Sequence, residues 1–236
     1  MNIAIILAGG KGSRTGMKRP KQYYELEGKP MINLCLETFL THDKIDAMQI
    51  VADDRWRSYI LNHMTCLTPE AEKKFKGFSN PGENRQLSIY NALVDIKKYA
   101  KDSDIVIIHD AARPFVTKTQ LSLCFDNMIG HDGVLPVLPM KDTVYLGDGK
   151  IVTSLLDREK VYAGQTPELF LLGKYYEANL VLLPDHILLI NGSSEPAILA
   201  GMDIAMVDGD EGNFKVTTEK DLEIFIQEGQ PDTETT

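Results

Sequence analysis

Cysteine is scarce in this chain and tryptophan scarcer: three cysteines and one tryptophan among 236 residues. Cys35, Cys66 and Cys124 stand far apart and form no C-x-x-C pair. That pattern excludes a disulfide framework or a zinc ribbon and leaves them as small core hydrophobes of a reducing compartment. Long apolar runs are missing too. No stretch approaches the roughly 20 residues of a membrane-spanning helix, and no basic-then-apolar leader precedes the first strand. The expectation is a cytoplasmic chain with no membrane partner. Positive charge is in deficit, with 25 Lys and Arg against 34 Asp and Glu, a net charge of -9 and a pI near 5.1. This excludes non-specific nucleic-acid binding, which needs a basic face, but leaves room for a local cationic pocket. His42, His63, His131 and His186 show no metal-ligand spacing and read as surface or loop residues. Repeats and low-complexity segments are absent.

What the chain does have is alternation. Its 43% hydrophobic content suffices for a sizeable core, and residues 1–236 read as a single domain. Ile3–Ala8, Ala47–Ala52, Asp104–His109 and Gly133–Pro139 are short apolar runs of the buried-strand kind. Between them, Pro30–Thr41, Arg55–Met64, Leu87–Lys98 and Thr119–Ile129 read as helices, with apolar residues recurring on one side (Met31, Leu34, Cys35 and Phe39 in the first). This order predicts an α/β fold, a Rossmann-like, mostly parallel sheet with helices on both faces. The rhythm changes after Pro139. Thr143–Tyr145 and Ile151–Leu155 flank Gly147-Asp-Gly149 and read as a hairpin. The segment 139–160 is therefore expected to project as a β-arm and to pair with a second copy, because exposed strands need a partner. The α/β order resumes with Leu169–Ala178 and Asp203–Val207. Thr218 and Asp221 suit the cap of a closing helix, and the polar tail from Gly229 is expected to fray.

The first thirty residues say most about chemistry. Asn2–Ala8 runs directly into Gly9-Gly-Lys-Gly-Ser-Arg14, and Arg19-Pro-Lys-Gln22 follows. A strand emptying into glycines and fixed cations is suited to phosphates, because glycine lets backbone N–H groups approach an anion and the cations neutralise it. It is not a P-loop, since Lys11 is followed by Gly12. Nor is it the dinucleotide fingerprint, since Thr15 stands where the third glycine belongs. That absence and the early Lys21 count against a nicotinamide-dependent reductase. A non-catalytic nucleotide-binding regulator is a further reading. The second feature is Asp104–Pro114, which places Asp110 at the C-terminal end of a buried strand, where ligands sit in open α/β sheets. An Asp there commonly holds a divalent metal on nucleotide phosphates. Arg113 is placed to pair with Asp110 or with a phosphate.

The opening resembles the nucleotidyltransferases that join a nucleoside triphosphate to a phosphorylated sugar or polyol. Their signature Leu-Ala-x-Gly-x-Gly-x-Arg, then Pro-Lys, stands here as Leu7–Arg14 and Pro20-Lys21. His109–Pro114, Lys141-Asp-Thr143, Arg158 eight residues before Thr166-Pro167, and Asn213-x-Lys215-Val-Thr217 follow in order. Together they resemble the 2-C-methyl-D-erythritol 4-phosphate and ribitol 5-phosphate cytidylyltransferases, over about residues 3–226. Gly82-Glu-Asn-Arg85-Gln-Leu-Ser88 is similar to a further family stretch, Gly-x-x-Arg-x-x-Ser, on the cytosine side. The resemblance implies a nucleotide-diphospho-sugar transferase type of fold and transfer of CMP from CTP to a polyol phosphate, with Mg2+ as cofactor. It implies that Ala8, Gly9, Gly10, Gly82, Arg85, Ser88 and Asp110 bind the nucleotide, with Asp110 also facing the metal. It assigns Arg14, Lys21 and Lys215 to catalysis around the triphosphate. Thr143, Arg158, Thr166 and Arg113 would bind the acceptor, Thr143 reaching from the arm of the other subunit of a homodimer. Methylerythritol phosphate, hence isoprenoid biosynthesis, is the acceptor it favours; ribitol 5-phosphate or another polyol phosphate is the alternative. The chain departs from the family pattern at Ser194, where an acidic residue is usual, at Glu168, where Thr-Pro is usually followed by Gln, and at Gly212, usually acidic.

Overall fold

The computed structural model describes residues 1–10, 19–26, 28–64 and 69–228. Its centre is β1 (Asn2–Leu7), a run of apolar residues flanked on both sides by parallel neighbours. Such a strand has no solvent face, which is why it reads as continuously apolar. Its side chains alternate across the sheet. Ala4 and Ile6 join a core with α1 (Met31–Leu40), α2 (Asp54–Met64) and α5 (Lys118–Asp126), while Ile3 and Ile5 join a second core with α4 (Arg85–Ile96) and α6 (Leu172–Leu180).

A two-residue ladder, β2 (Glu25–Leu26) with β3 (Lys29–Pro30), precedes α1. β4 (Ala47–Val51) lies beside β1, and β5 (Phe75–Ser79), which follows α3 (Pro69–Lys74), forms the far edge. On the other side of β1 lies β6 (Ile105–Asp110). β7 (Gly133–Pro139) is followed by the hairpin β8 (Tyr145–Gly147) and β9 (Val152–Leu155). β10 (Tyr162–Gly164) and β11 (Glu168–Leu171) both run antiparallel to β7, and β11 also pairs with β6. Together they insert one interrupted antiparallel strand between β6 and β7. The chain closes with α7 (Glu195–Leu199), β12 (Ile204–Asp208) parallel to β7, and α8 (Glu219–Glu228).

The α/β expectation therefore holds, with one antiparallel intruder. The capping reading of Thr218 and Asp221 also holds: Thr218 Oγ1 accepts from Asp221 N, while the Asp221 carboxylate accepts from the Thr217 and Thr218 amides. Cys35 and Cys124 are buried free thiols, as expected; Cys66 and the tail from Gly229 lie outside the described residues. Of the surface-or-loop reading, His42 keeps the loop and not the surface: it lies between α1 and β4, buried, with its ring beside Phe125 and bonded to Ser122. Among the described residues no helix is long and apolar enough to cross a membrane.

Candidate active site

The site lies where the parallel strands end. At the exit of β1 the Ala8 carbonyl accepts from Gln22 Nε2 at 2.7 Å and from the Tyr23 hydroxyl at 2.9 Å. The Gly10 carbonyl accepts from Gln22 Nε2 at 2.8 Å. Gly9 is required sterically, since a Cβ there would sit 2.7 Å from Pro81 Cβ. Lys21 opens the short 3-10 turn Lys21–Tyr23 that carries both donors. Arg14 lies outside the described residues.

The start of α4 closes a second side. Asn84 caps the helix by accepting from the Leu87 amide. The Gly82 amide donates to Ser88 Oγ at 2.9 Å, and that hydroxyl donates to the Asn84 carbonyl. Gly82 also lacks room for a side chain, because a Cβ would meet Leu87 at 2.6 Å. Arg85, the first helical residue, reaches across to β6, where its Nε lies 3.0 Å from Asp110 Oδ1. Lys215 Nζ takes the other carboxylate oxygen at 2.7 Å. Asp110 is thus shared by two cations drawn from residues 25 and 105 positions away.

Behind this trio sits a knot of polar contacts. The Asp110 amide donates to Thr166 Oγ1, which also contacts His109 Nδ1. His109 Nε2 faces the Arg113 carbonyl, Arg113 Nη1 donates to the Asn213 carbonyl at 2.6 Å, and Asn213 Nδ2 donates to the Thr166 carbonyl. Gln165, in the break between β10 and β11, accepts from the Asp210 amide and donates to the Asp210 carbonyl. Apart from the local His109–Arg113 contact, these links join segments distant in sequence, so the knot ties the end of β6 to Thr166 and to Asn213, two residues before Lys215.

The charges follow from burial and these partners. Burial alone would raise the Asp110 carboxyl, but Arg85 and Lys215 outweigh it and hold the group ionised, far below the usual carboxylate range. Burial lowers His109 to about 4, so the imidazole is neutral at physiological pH. Glu168 is pushed up to about 7 by burial, partly offset by Arg85 and a hydrogen bond from Ser193. Glu168 Oε2, Arg113 Nε and Asn213 Oδ1 are buried with no hydrogen-bond partner among the described residues, which leaves spare polar capacity at the base of the site. A glycine strand exit, a helix start and a carboxylate clasped by two cations, all at the strand ends, make an arrangement suited to an anionic ligand.

Comparison with known proteins decides the family. The model of the family described as "IspD: 2-C-methyl-D-erythritol 4-phosphate cytidylyltransferase" matches residues 2–226. The chain belongs to the IspD family. It is 32% identical to the 2-C-methyl-D-erythritol 4-phosphate cytidylyltransferase of Clostridium beijerinckii, over 96% of this chain and 99% of that one. To the enzyme so named from Geobacillus thermodenitrificans it is 30% identical, over 93% and 92%. The solved structure of Francisella tularensis IspD aligns with a TM-score of 0.78 and 26% identity, over 95% and 97%.

Against the IspD resemblance, the structure brings Arg85, Asp110, Thr166 and Lys215 together and places Ala8, Gly9, Gly10, Gly82 and Ser88 at neighbouring strand and helix ends. Of the two partners expected for Arg113, Asp110 or a phosphate, it does not take Asp110, whose ion pairs are with Arg85 and Lys215; its guanidinium donates to the Asn213 carbonyl. Thr143 and Arg158 lie exposed along the arm. Arg158 Nη1 donates to the Lys141 carbonyl, while Lys141 Nζ pairs with Glu211; neither Thr143 nor Arg158 bonds to the Asp110 cluster. For a metal, Asp110 is one carboxylate, and among the described residues no group of three or more His, Cys, Asp or Glu is placed to hold an ion. One carboxylate completed by substrate phosphates is a usual magnesium pattern; both Asp110 oxygens carry a cation here, so the ion would share that carboxylate with Arg85 and Lys215 or displace one of them. Sequence reasoning missed Gln22, Tyr23, Asn84, Gln165 and Glu168 as parts of this architecture. Gln22 and Asn84 stood inside the quoted motifs, and only their partners were illegible.

Proposed function

We propose that this chain transfers CMP from CTP to 2-C-methyl-D-erythritol 4-phosphate, releasing pyrophosphate and forming the CDP-polyol. One observation carries the reading: in an IspD-family chain, Arg85 and Lys215 converge on Asp110 at the strand ends, where Asp110 stands in register with Leu7 at the end of β1. Arg14, Lys21 and Lys215 would surround the triphosphate, and Ala8, Gly9, Gly10, Gly82, Arg85 and Ser88 would hold the nucleotide. Thr166, Arg158, Arg113 and Thr143 would bind the acceptor. A phosphate oxygen of the acceptor attacks the α-phosphorus of CTP and pyrophosphate leaves from the opposite side. The acceptor monoester is already a nucleophile, so no strong base is needed. Neutral His109, turned to a backbone carbonyl, is a structural group and not that base. The difficulty is bringing two polyanions together, which the cations and the aligned backbone amides address. Magnesium bound by Asp110 and the phosphates would supply further charge neutralisation. The arm would pair two copies and bring Thr143 into the neighbouring site.

A pyrophosphate-release assay tests this. CTP should be turned over in clear preference to UTP, ATP and GTP, with 2-C-methyl-D-erythritol 4-phosphate the best of a panel that includes ribitol 5-phosphate. Equal turnover with UTP would sink the cytidylyl assignment. Preference for ribitol 5-phosphate would move the enzyme to the sister reaction.

A further inference from the structure

We propose that Gln22 and Tyr23 act as a latch that sets the exit of β1, Ala8 to Gly10, for a triphosphate, which makes them positioning residues for CTP. The inference rests on the CTP reading above and adds two residues that no motif assigned. Gln22 is 3% exposed and Tyr23 fully buried. Between them they deliver three donors to two backbone carbonyls at the exit of β1: Gln22 Nε2 to Ala8 and to Gly10, and the Tyr23 hydroxyl to Ala8. A trans peptide points its N–H opposite to its C=O. Holding the Ala8 carbonyl inward therefore turns the Gly9 amide outward. The Gly10 carbonyl is held the same way, and no described residue other than its chain neighbours lies within 4 Å of where a Gly10 Cβ would stand. An outward amide at a glycine strand exit is the kind of donor that an anion takes.

The latch is rigidly backed. Tyr23 stacks on Trp56 at 4.3 Å and meets Tyr59 edge-on at 5.8 Å, both from α2. The Arg19 guanidinium lies over Trp56 and Tyr59 and pairs with Glu25, which also accepts from the Tyr59 hydroxyl. Burial raises the Tyr23 phenol above its ordinary range, so it remains a donor. Lys21 opens the same turn, where Tyr23 N bonds the Pro20 carbonyl at 3.0 Å and Tyr24 N the Lys21 carbonyl at 3.0 Å. The residue assigned to the triphosphate and the residues that set the exit of β1 are thus held in one unit.

The test is calorimetric binding of CTP and of CMP to the full-length wild type, Gln22→Met and Tyr23→Phe. Gln22→Met keeps the volume and removes both amide donors. It should weaken CTP by about tenfold while changing CMP less than about twofold, since freed loop carbonyls cost the phosphates beyond the first. Tyr23→Phe keeps the ring stack, and Ala8 keeps Gln22, so the CTP-to-CMP ratio should fall by about threefold. A merely structural role would weaken both nucleotides together. Parallel losses, or ratios unchanged from wild type, would overturn the latch. Should Gln22→Met fail to fold, an unchanged ratio in Tyr23→Phe is sufficient to reject it. Failure of the CTP reading shows separately, as a wild type that does not prefer CTP to UTP. The triphosphate-to-monophosphate ratio can still be measured with whichever nucleotide binds.

Discussion

Single charges decide most of what this site can do. Asp110 is buried, yet two cations keep it ionised: Lys215, which the family pattern sets against the triphosphate, and Arg85, which it sets on the cytosine side. Lys21→Ala and Lys215→Ala should each lower kcat by about 10² to 10³, the usual cost of removing one donor to developing charge. Thermal midpoints should move little for Lys21 and more for Lys215, whose loss leaves Asp110 half-paired in a buried place. Near-normal kcat in either variant removes that residue from the catalytic set. Glu168 behaves oppositely to Asp110. Its carboxyl is raised from 4.5 to about 7, so the folded protein binds more protons than the unfolded chain between those values. Stability contributed by the neutral form is complete below about 4.5 and lost as pH rises through 7. Glu168→Gln should therefore stabilise the protein at pH 8, by at most about 3 kcal/mol, and hardly at pH 5. Thermal unfolding at the two pH values reads this directly, and an equal gain at both would contradict it. Residue identity was legible here, but environment was not. Glu168 was visible only as a departure from Thr-Pro-Gln, because nothing local announces that Arg85 and Ser193 will face it.

Elements were legible wherever one segment carried its own signal. β1, β4, β6 and β7 are apolar runs, and the helices show periodic apolar faces, so their order emerged directly. The capping box at Thr218 was readable for the same reason, as its partners lie three residues apart. β5, with the mixed sequence Phe75-Lys-Gly-Phe-Ser, is an edge strand half-open to solvent and has no clear run. β10 and β11 are short, interrupted by Gln165-Thr-Pro167, and gain strand character from pairing with β7 and β6. Such pairing is a tertiary decision that local pattern does not carry. Asn84 shows what one local contact is worth to an element. It caps α4 and also donates to the Ile187 carbonyl, so Asn84→Ala should cost about 1–2 kcal/mol in a urea titration. Because α4 presents Arg85 and Ser88, the same variant should raise the KM for CTP. A loss of stability with unchanged KM would separate the cap from the site.

For the whole molecule, the net charge of -9 makes the clustered cations a local exception, with Arg85 and Lys215 facing inward to Asp110. The arm is a second exception. Tyr145, Ile151, Val152 and Leu155 are each more than half exposed on an isolated two-stranded hairpin. Such a hairpin is marginal in water, and a row of exposed apolar residues on both strands invites a symmetric partner. The hairpin itself was readable from Gly147-Asp-Gly149. Thr143 and Arg158 make no hydrogen bond or ion pair with the Asp110 cluster of the same chain, so the acceptor side has no local contact for the pattern to announce. If Thr143 crosses to a neighbouring site that contains Arg158, the two residues act in one site but come from different subunits. Thr143→Ala and Arg158→Ala homodimers should each be weak, because every site lacks one residue. A mixed dimer has one site with both residues and one with neither. After full exchange, half the dimers are mixed and half their sites are intact, so activity should recover to about a quarter of wild type. Sedimentation should show a dimer throughout. No recovery despite confirmed exchange would place both residues in the same subunit's site, and a fully active monomer would free the reaction from the arm altogether.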